Sequence, residues 1–236
     1  MDNKSFKDCL LQWNIDIDDD QISLFERYYM FLSEWNDKIN LTSITDRNEV
    51  FIKHFADSIS LLKFAPIYGK TLLDIGTGAG FPGIPLKIMC PECKVVLVDS
   101  LNKRITFLRN LIKELGLSDI LCIHGRAEDI AFDKSHREKY DIVVSRAVAN
   151  LCTLSEYCLP FVNNNGIFIS YKSGSIDDEL SLAERAIDVL GGKVDRLEKF
   201  SIPGTDIERT LIFIRKINST STKYPRKAGT PSKNPL

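Results

Sequence analysis

The stretch Leu72-Leu73-Asp74-Ile75-Gly76-Thr77-Gly78-Ala79-Gly80-Phe81-Pro82-Gly83 narrows the possible folds more than any other part of the chain. The apolar residues of a buried strand run straight into glycines, and helical spacing resumes at about Ile84. Glycine is needed where a backbone turns sharply and passes close to a ligand, because a Cβ would collide there. A strand that enters a helix through such a turn belongs to an open α/β sheet, whose ligands bind outside the carboxyl ends of the strands. The downstream rhythm agrees. Strands are expected at Thr71–Ile75, Lys94–Asp99, Ile120–His124, Asp141–Ser145, Gly166–Lys172, Lys193–Ser201 and Arg209–Arg215, with helices at Leu101–Leu115, Leu151–Val162 and Ile176–Leu190. Crossovers of that length join parallel strands. The link over residues 202–208 is too short for one, so the last two strands should pair antiparallel.

The first 65 or so residues carry no strand signal. Lys7 to Trp13 is amphipathic. Asp18-Asp19-Asp20 offers a cap for a helix with Ile22, Phe25, Tyr29, Leu32, Trp35 and Ile39 on one face, and Asn40-Leu41-Thr42-Ser43 breaks it. Asp46 with Glu49 forms a capping-box pattern ahead of Val50, Phe51, His54, Phe55 and Ile59. The expected organisation is a helical extension over residues 1–66, a catalytic domain over 67–217 and an extended basic tail over 218–236.

Two cofactors compete for the glycine turn. Gly78-Ala79-Gly80-Phe81-Pro82-Gly83 matches the GxGxxG of dinucleotide enzymes, but there the first glycine follows the strand directly. Here that residue is Gly76, which puts Phe81 where the third glycine belongs. Asp74 beside the turn suits a cationic ammonium and sulfonium better than an anionic pyrophosphate. The balance favours S-adenosylmethionine. Seven strands with the last reversed is likewise the Rossmann-like α/β sheet of class I methyltransferases. Asp99, ending the second strand, is placed to accept from ribose hydroxyls or to cap the next helix. Gly125-Arg126-Ala127-Glu128-Asp129 follows the third strand and should meet the adenine, and Ser145-Arg146-Ala147 ends the fourth strand facing the methyl-transfer position.

Composition excludes some classes and hints at a partner. No apolar run approaches the ~18 residues of a membrane span, and the amino terminus lacks the pattern of a signal peptide. Six irregularly spaced cysteines do not make a disulfide framework, so a cytoplasmic setting is expected. Cys90-Pro91-Glu92-Cys93 has no second ligand pair, and the reading is surface cysteines with no metal. His54, Trp13, Trp35, Phe25 and Phe55 read as packing residues. The whole chain has a net charge of −1, but from Arg215 onward there are six basic residues and no acidic one, so the remainder carries −7. A basic tail on an acidic body fits a polyanion.

With these residues in view, the chain closely resembles the small-subunit rRNA methyltransferase G family, also called the glucose-inhibited division protein B family. The match covers Asn40-Leu41-Thr42, His54-x-x-Asp57-Ser58, the Asp74–Pro85 turn, Asp99-Ser100-x-x-Lys103-Arg104 and Arg126-Ala127-Glu128. It continues through Ser145-Arg146-Ala147, Tyr171-Lys172-x-Gly174 and the tail from Lys223 to Pro231. The resemblance implies methylation of guanine N7 at one site of bacterial 16S rRNA, by a monomer acting on rRNA or a small-subunit particle. It also implies S-adenosylmethionine contacts at Gly76, Phe81, Ala127, Glu128 and Arg146, to which the turn adds Asp74, Gly78 and Gly80, and the end of the second strand Asp99. Guanine N7 carries a lone pair and no proton, so no acid or base is required, and Arg146 and Lys172 are positioning candidates. Arg126, Lys172, Arg209, Lys223, Arg226 and Lys227 are the candidate RNA contacts, through phosphates. Two alternatives stay open: a nicotinamide-dependent oxidoreductase, and a non-catalytic RNA-binding or ribosome-assembly protein.

Overall fold

The structure is a computed structural model describing residues 3–174 and 176–236. In chain order the helices are α1 (Asn3–Leu11), α2 (Asp19–Ile39), α3 (Arg47–Val50), α4 (Asp57–Ile59), α5 (Gly83–Met89), α6 (Asn102–Leu115), α7 (Ala127–Ile130), α8 (Leu151–Cys158), α9 (Asp177–Val189) and α10 (Thr230–Lys233). The strands are β1 (Thr71–Ile75), β2 (Lys94–Asp99), β3 (Ile120–His124), β4 (Tyr140–Arg146), β5 (Val162–Ser173), β6 (Gly192–Ser201) and β7 (Glu208–Lys216). They form one seven-stranded sheet in the order β3-β2-β1-β4-β5-β7-β6. β7 runs antiparallel to both neighbours, and the remaining pairs are parallel. This is the class I methyltransferase arrangement anticipated from the strand rhythm.

Strand order decides where the helices go. From β1 the chain steps outward to β2 and β3, then returns past β1 to β4 and steps the other way to β5. Right-handed crossovers in opposite directions put α5 and α6 on one face and α8 and α9 on the other. Side chains alternate accordingly. Leu72, Val95, Leu97, Ile142 and Val144 join one core layer with Ile84, Ile105 and Leu108. Leu73, Ile75, Val98 and Val143 join the other with Leu154, Ala183 and Ile187. The reversal falls between β1 and β4, and a crevice opens there at the carboxyl ends of the strands.

The amino-terminal helices belong to the α5/α6 layer. Phe6, Phe25, Phe51 and Phe55 are buried and contact one another ring to ring at 4.9–5.6 Å. Asp18 caps α2 through a complete capping box with Gln21, and Asn40 ends it in a left-handed conformation. Two expectations need revising. The segment read as one helix from Asp46 is instead α3, a π-helical segment Phe51–Ala56, α4 and a 3-10 turn Ser60–Lys63. The tail read as extended is docked. Tyr224 and Pro231 are buried, and the Arg137 guanidinium donates to the carbonyls of Thr220 and Tyr224 at 2.8 and 3.0 Å. The physical reason lies in residues far upstream, which supply partners that no local reading of the tail contains.

Candidate active site

At the carboxyl ends of β1 to β3 lies a cavity of about 290 Å³, lined by Gly76, Val98, Asp99, Leu101, Gly125, Arg126, Ala127, Glu128, Val148, Tyr157 and, from the tail, Gly229 and Ser232. Asp99 has both proposed roles within reach. Its Oδ1 accepts from the Leu101 backbone N at 2.8 Å, which caps α6, and its Oδ2 accepts from Gly78 N at 3.0 Å and Arg104 Nη1 at 3.2 Å. It still borders the cavity. Glu128 is buried and accepts from Gly229 N at 2.9 Å, so the tail forms part of the wall. The lining fits a phosphate-free adenosyl ligand with a cationic end: it offers two carboxylates, and its one basic side chain, Arg126, is exposed. Gly76, at φ +72°, lets the turn pack directly against Val148, whose methyl group would collide with a Cβ there.

The other residues of the turn do different work. Asp74, the carboxylate the turn offers to the ligand's charged end, is fully buried and lines neither this cavity nor the one beyond β4; its Oδ2 accepts from Gly83 N at 2.8 Å. Burial pushes its carboxyl up to about 7, against the pull of that hydrogen bond. Asp74 thus occupies the amino terminus of α5, where a dinucleotide enzyme would seat its pyrophosphate. That geometry argues against the nicotinamide alternative. Gly78 serves the turn by donating to Asp99. Gly80 lets α2 approach: a Cβ there would lie 2.7 Å from the Tyr28 hydroxyl, which donates to Ala79 O. Phe81, another expected ligand contact, packs its ring between His54 (4.5 Å) and Tyr28 (5.5 Å), with the Arg146 guanidinium 5.0 Å from its centre.

A second cavity, of about 510 Å³, opens beyond the end of β4 and is lined by Ile44, Lys53, His54, Asp57, Arg146, Ala147, Tyr171, Lys172, Ser173, Glu179 and Arg209. Arg146 therefore faces this space and not the first cleft. Its Nη1 donates to Asp57 Oδ2 at 2.7 Å, while Arg209 Nε donates to Asp57 Oδ1 at 2.8 Å. The segment Arg146-Ala147-Val148 separates the cavities, with Ala147 lining the second and Val148 the first.

His54 stacks on Phe81 and lines the second cavity, and its ring hydrogen bonds favour the neutral form. An arginine can only donate, so Arg146 Nη2 at 3.4 Å makes Nδ1 the acceptor, and Nε2 donates to Thr42 Oγ1 at 2.9 Å. Burial first, and the Arg146 charge second, lower its pKa to about 3. Between about pH 3 and 6.5 the unfolded chain binds a proton here that the folded chain does not, so this contribution to stability rises with pH and is complete above 6.5. Urea unfolding of wild type and His54→Gln across pH 4.5–7.5 should show a stability difference that grows in favour of wild type with rising pH. A difference independent of pH would refute the assignment.

Several charged residues expected on RNA are committed within the protein. Lys172 Nζ donates to Glu179 Oε1 at 2.7 Å and Ala149 O at 2.9 Å, Arg209 is held by Asp57, and Arg226 grips the buried carboxylate of Glu156 at 2.7–3.2 Å. Arg126, Lys223 and Lys227 remain exposed. Cys93 is not at the surface but buried, its thiol donating to Ile67 O. Sequence reading missed Asp57 and Glu179 as site residues. Only the His54-x-x-Asp57 spacing pointed to the first, and nothing local pointed to the second.

The family model for rRNA small subunit methyltransferase G (GidB) matches residues 21–212. The ribosomal RNA small subunit methyltransferase G of Lachnoclostridium phytofermentans is 53% identical over 236 residues, covering 100% of this chain and 98% of that one. The protein of the same name from Lactobacillus acidophilus is 50% identical, over 96% of each chain. In fold, the chain resembles an S-adenosylmethionine-dependent methyltransferase from Aquifex aeolicus, with a TM-score of 0.56 at 15% identity, covering 75% of this chain and 97% of that one. It also resembles a chain of the Haloferax volcanii Trm112–methyltransferase complex, with a TM-score of 0.59 at 13% identity, covering 79% and 98%. Fold, cleft and whole-length similarity agree: the chain belongs to the rRNA small subunit methyltransferase G family.

Proposed function

We propose that the chain methylates N7 of a single guanine in 16S rRNA, with S-adenosylmethionine held in the first cavity and the acceptor base entering the second. The observation that carries this reading is their meeting along Arg146-Ala147-Val148 at the end of β4. Gly76, Asp99, Ala127 and Glu128 are the residues that would hold the donor. When bound, S-adenosylmethionine supplies an electrophilic methyl group on a cationic sulfur.

The chain's own residues then have only to position the acceptor and exclude water, because N7 attacks with a lone pair and sheds no proton. The titratable groups of the second cavity suit that task. His54 is held neutral with both ring nitrogens engaged, and Tyr171 donates its hydroxyl to Ser58 O at 2.9 Å with its pKa raised by burial. Neither is arranged to remove a proton. The bound guanidinium of Arg146 fits a positioning role, since the product base is itself cationic. Exposed Arg126, Lys223 and Lys227 are the remaining candidates for phosphate contacts. The reading includes a monomer working in the cytoplasm, and sedimentation of the purified chain checks the first part.

Mass spectrometry of 16S rRNA nucleosides tests the activity. Deleting the gene should remove 7-methylguanosine from that RNA, and the wild-type gene should restore it. An unchanged nucleoside profile would leave the non-catalytic alternative standing.

A further inference from the structure

The second cavity contains two carboxylates, and they differ in what they leave free. Asp57 is closed, with both oxygens taken by Arg146 and Arg209 and its side chain only 3% exposed. Glu179, in the first turn of α9, is more open, with 29% of its side chain exposed. Its Oε1 accepts from Leu151 N at 2.6 Å and from Lys172 Nζ at 2.7 Å, which fixes the carboxylate in place. Among the described residues no donor is bound to its Oε2. A carboxylate held by two donors on one oxygen and open on the other is a preset acceptor.

Its location gives that acceptor a direction. The first cavity borders the ends of β1 and β2, and Glu179 is tied to Lys172 of β5, on the far side of β4. A purine between them with N7 toward the first cavity would turn its Watson–Crick edge toward β5 and α9. In guanine that edge carries two neighbouring donors, N1–H and the N2 amine. In adenine a lone pair at N1 occupies the corresponding place. Resting on the proposed function above, we propose that the second cavity is a guanine-binding site in which Glu179 Oε2 accepts from N1–H and the N2 amine, rejecting adenine although adenine also has an N7. Reading a base by hydrogen bonds to its Watson–Crick edge is the usual solution when an enzyme takes it out of the stack. A polar site built for donors discriminates strongly against an analogue lacking them, because its buried acceptor is then left unpaired.

The experiment uses full-length protein and 16S rRNA ligated to carry guanosine, inosine or adenosine at the target position. Inosine keeps N7 and N1–H but lacks the N2 amine. Wild-type kcat/KM should fall about 10- to 100-fold on inosine, as expected for losing a hydrogen bond to a charged group, and should vanish on adenosine. Glu179→Gln keeps an acceptor for Leu151 and Lys172 but turns an amide N–H₂ toward the guanine donors. Its guanosine-to-inosine ratio should shrink to about 3 or less, while melting temperature and S-adenosylhomocysteine affinity stay near wild type. Equal wild-type rates on guanosine and inosine would overturn the proposal even if the variant failed to fold, and so would an undiminished ratio in a folded variant. No transfer to guanosine RNA by the wild type would instead sink the underlying function, and this proposal with it.

Discussion

Valine at position 76 is expected to weaken S-adenosylhomocysteine binding at least ~100-fold, or about 3 kcal/mol, and to abolish methyl transfer. Two costs combine. Gly76 has φ +72°, a region where a β-branched residue is a clear outlier costing about 1–3 kcal/mol. In addition, a Cβ there would collide with the Val148 methyl in the wall between the two cavities. Relief requires moving either the turn or Val148, and both line the cleft. The core layers lie behind the turn, so circular dichroism should remain close to wild type while calorimetry detects no donor binding. Undiminished affinity would remove Gly76 from the site.

Arg226→Leu should destabilise the chain by about 3–5 kcal/mol, the usual cost of stranding a buried charge. Glu156 lies in α8 with its side chain 1% exposed, and Arg226 supplies it with a backbone N–H at 2.6 Å and guanidinium donors at 2.7–3.2 Å. Without the guanidinium, the carboxylate is left in the core largely unpaired. The tail beyond should also loosen, and with it the Gly229 N–Glu128 bond and the Ser232 wall of the first cavity. Donor affinity should therefore fall along with stability. The double variant Arg226→Leu/Glu156→Leu should recover most of the stability, because removing both partners removes the buried charge. Chemical denaturation of the three proteins decides. A single variant as stable as wild type would return the tail to a purely electrostatic role.

The periodic parts of the molecule are legible in its sequence. β1, β2 and β3 coincide with the apolar runs Thr71–Ile75, Lys94–Asp99 and Ile120–His124, because each run is bounded by turn residues; β1 is buried on both faces, while the edge strand β3 keeps Leu121 exposed. The pairing of β6 with β7 followed from the length of one loop. Gly76 and Asp99 were legible as cleft residues because the chemistry of the turn and of the strand end is local.

Long-range pairing was not legible. Arg146 reads as a residue at the cofactor, yet Asp57, 89 positions away, draws it into the second cavity. Arg226 reads as a phosphate contact, yet its guanidinium is held by a buried carboxylate 70 positions away. A guanidinium has the same local pattern whether it meets solvent, phosphate or a buried acid. The chain by itself determined the alternation of strands and helices and the ligand-facing turn, since these rest on spacing and on the absence of a Cβ. Tertiary structure alone decided which charges are spent inside and which stay free, because desolvation and ion pairing depend on neighbours that folding brings together.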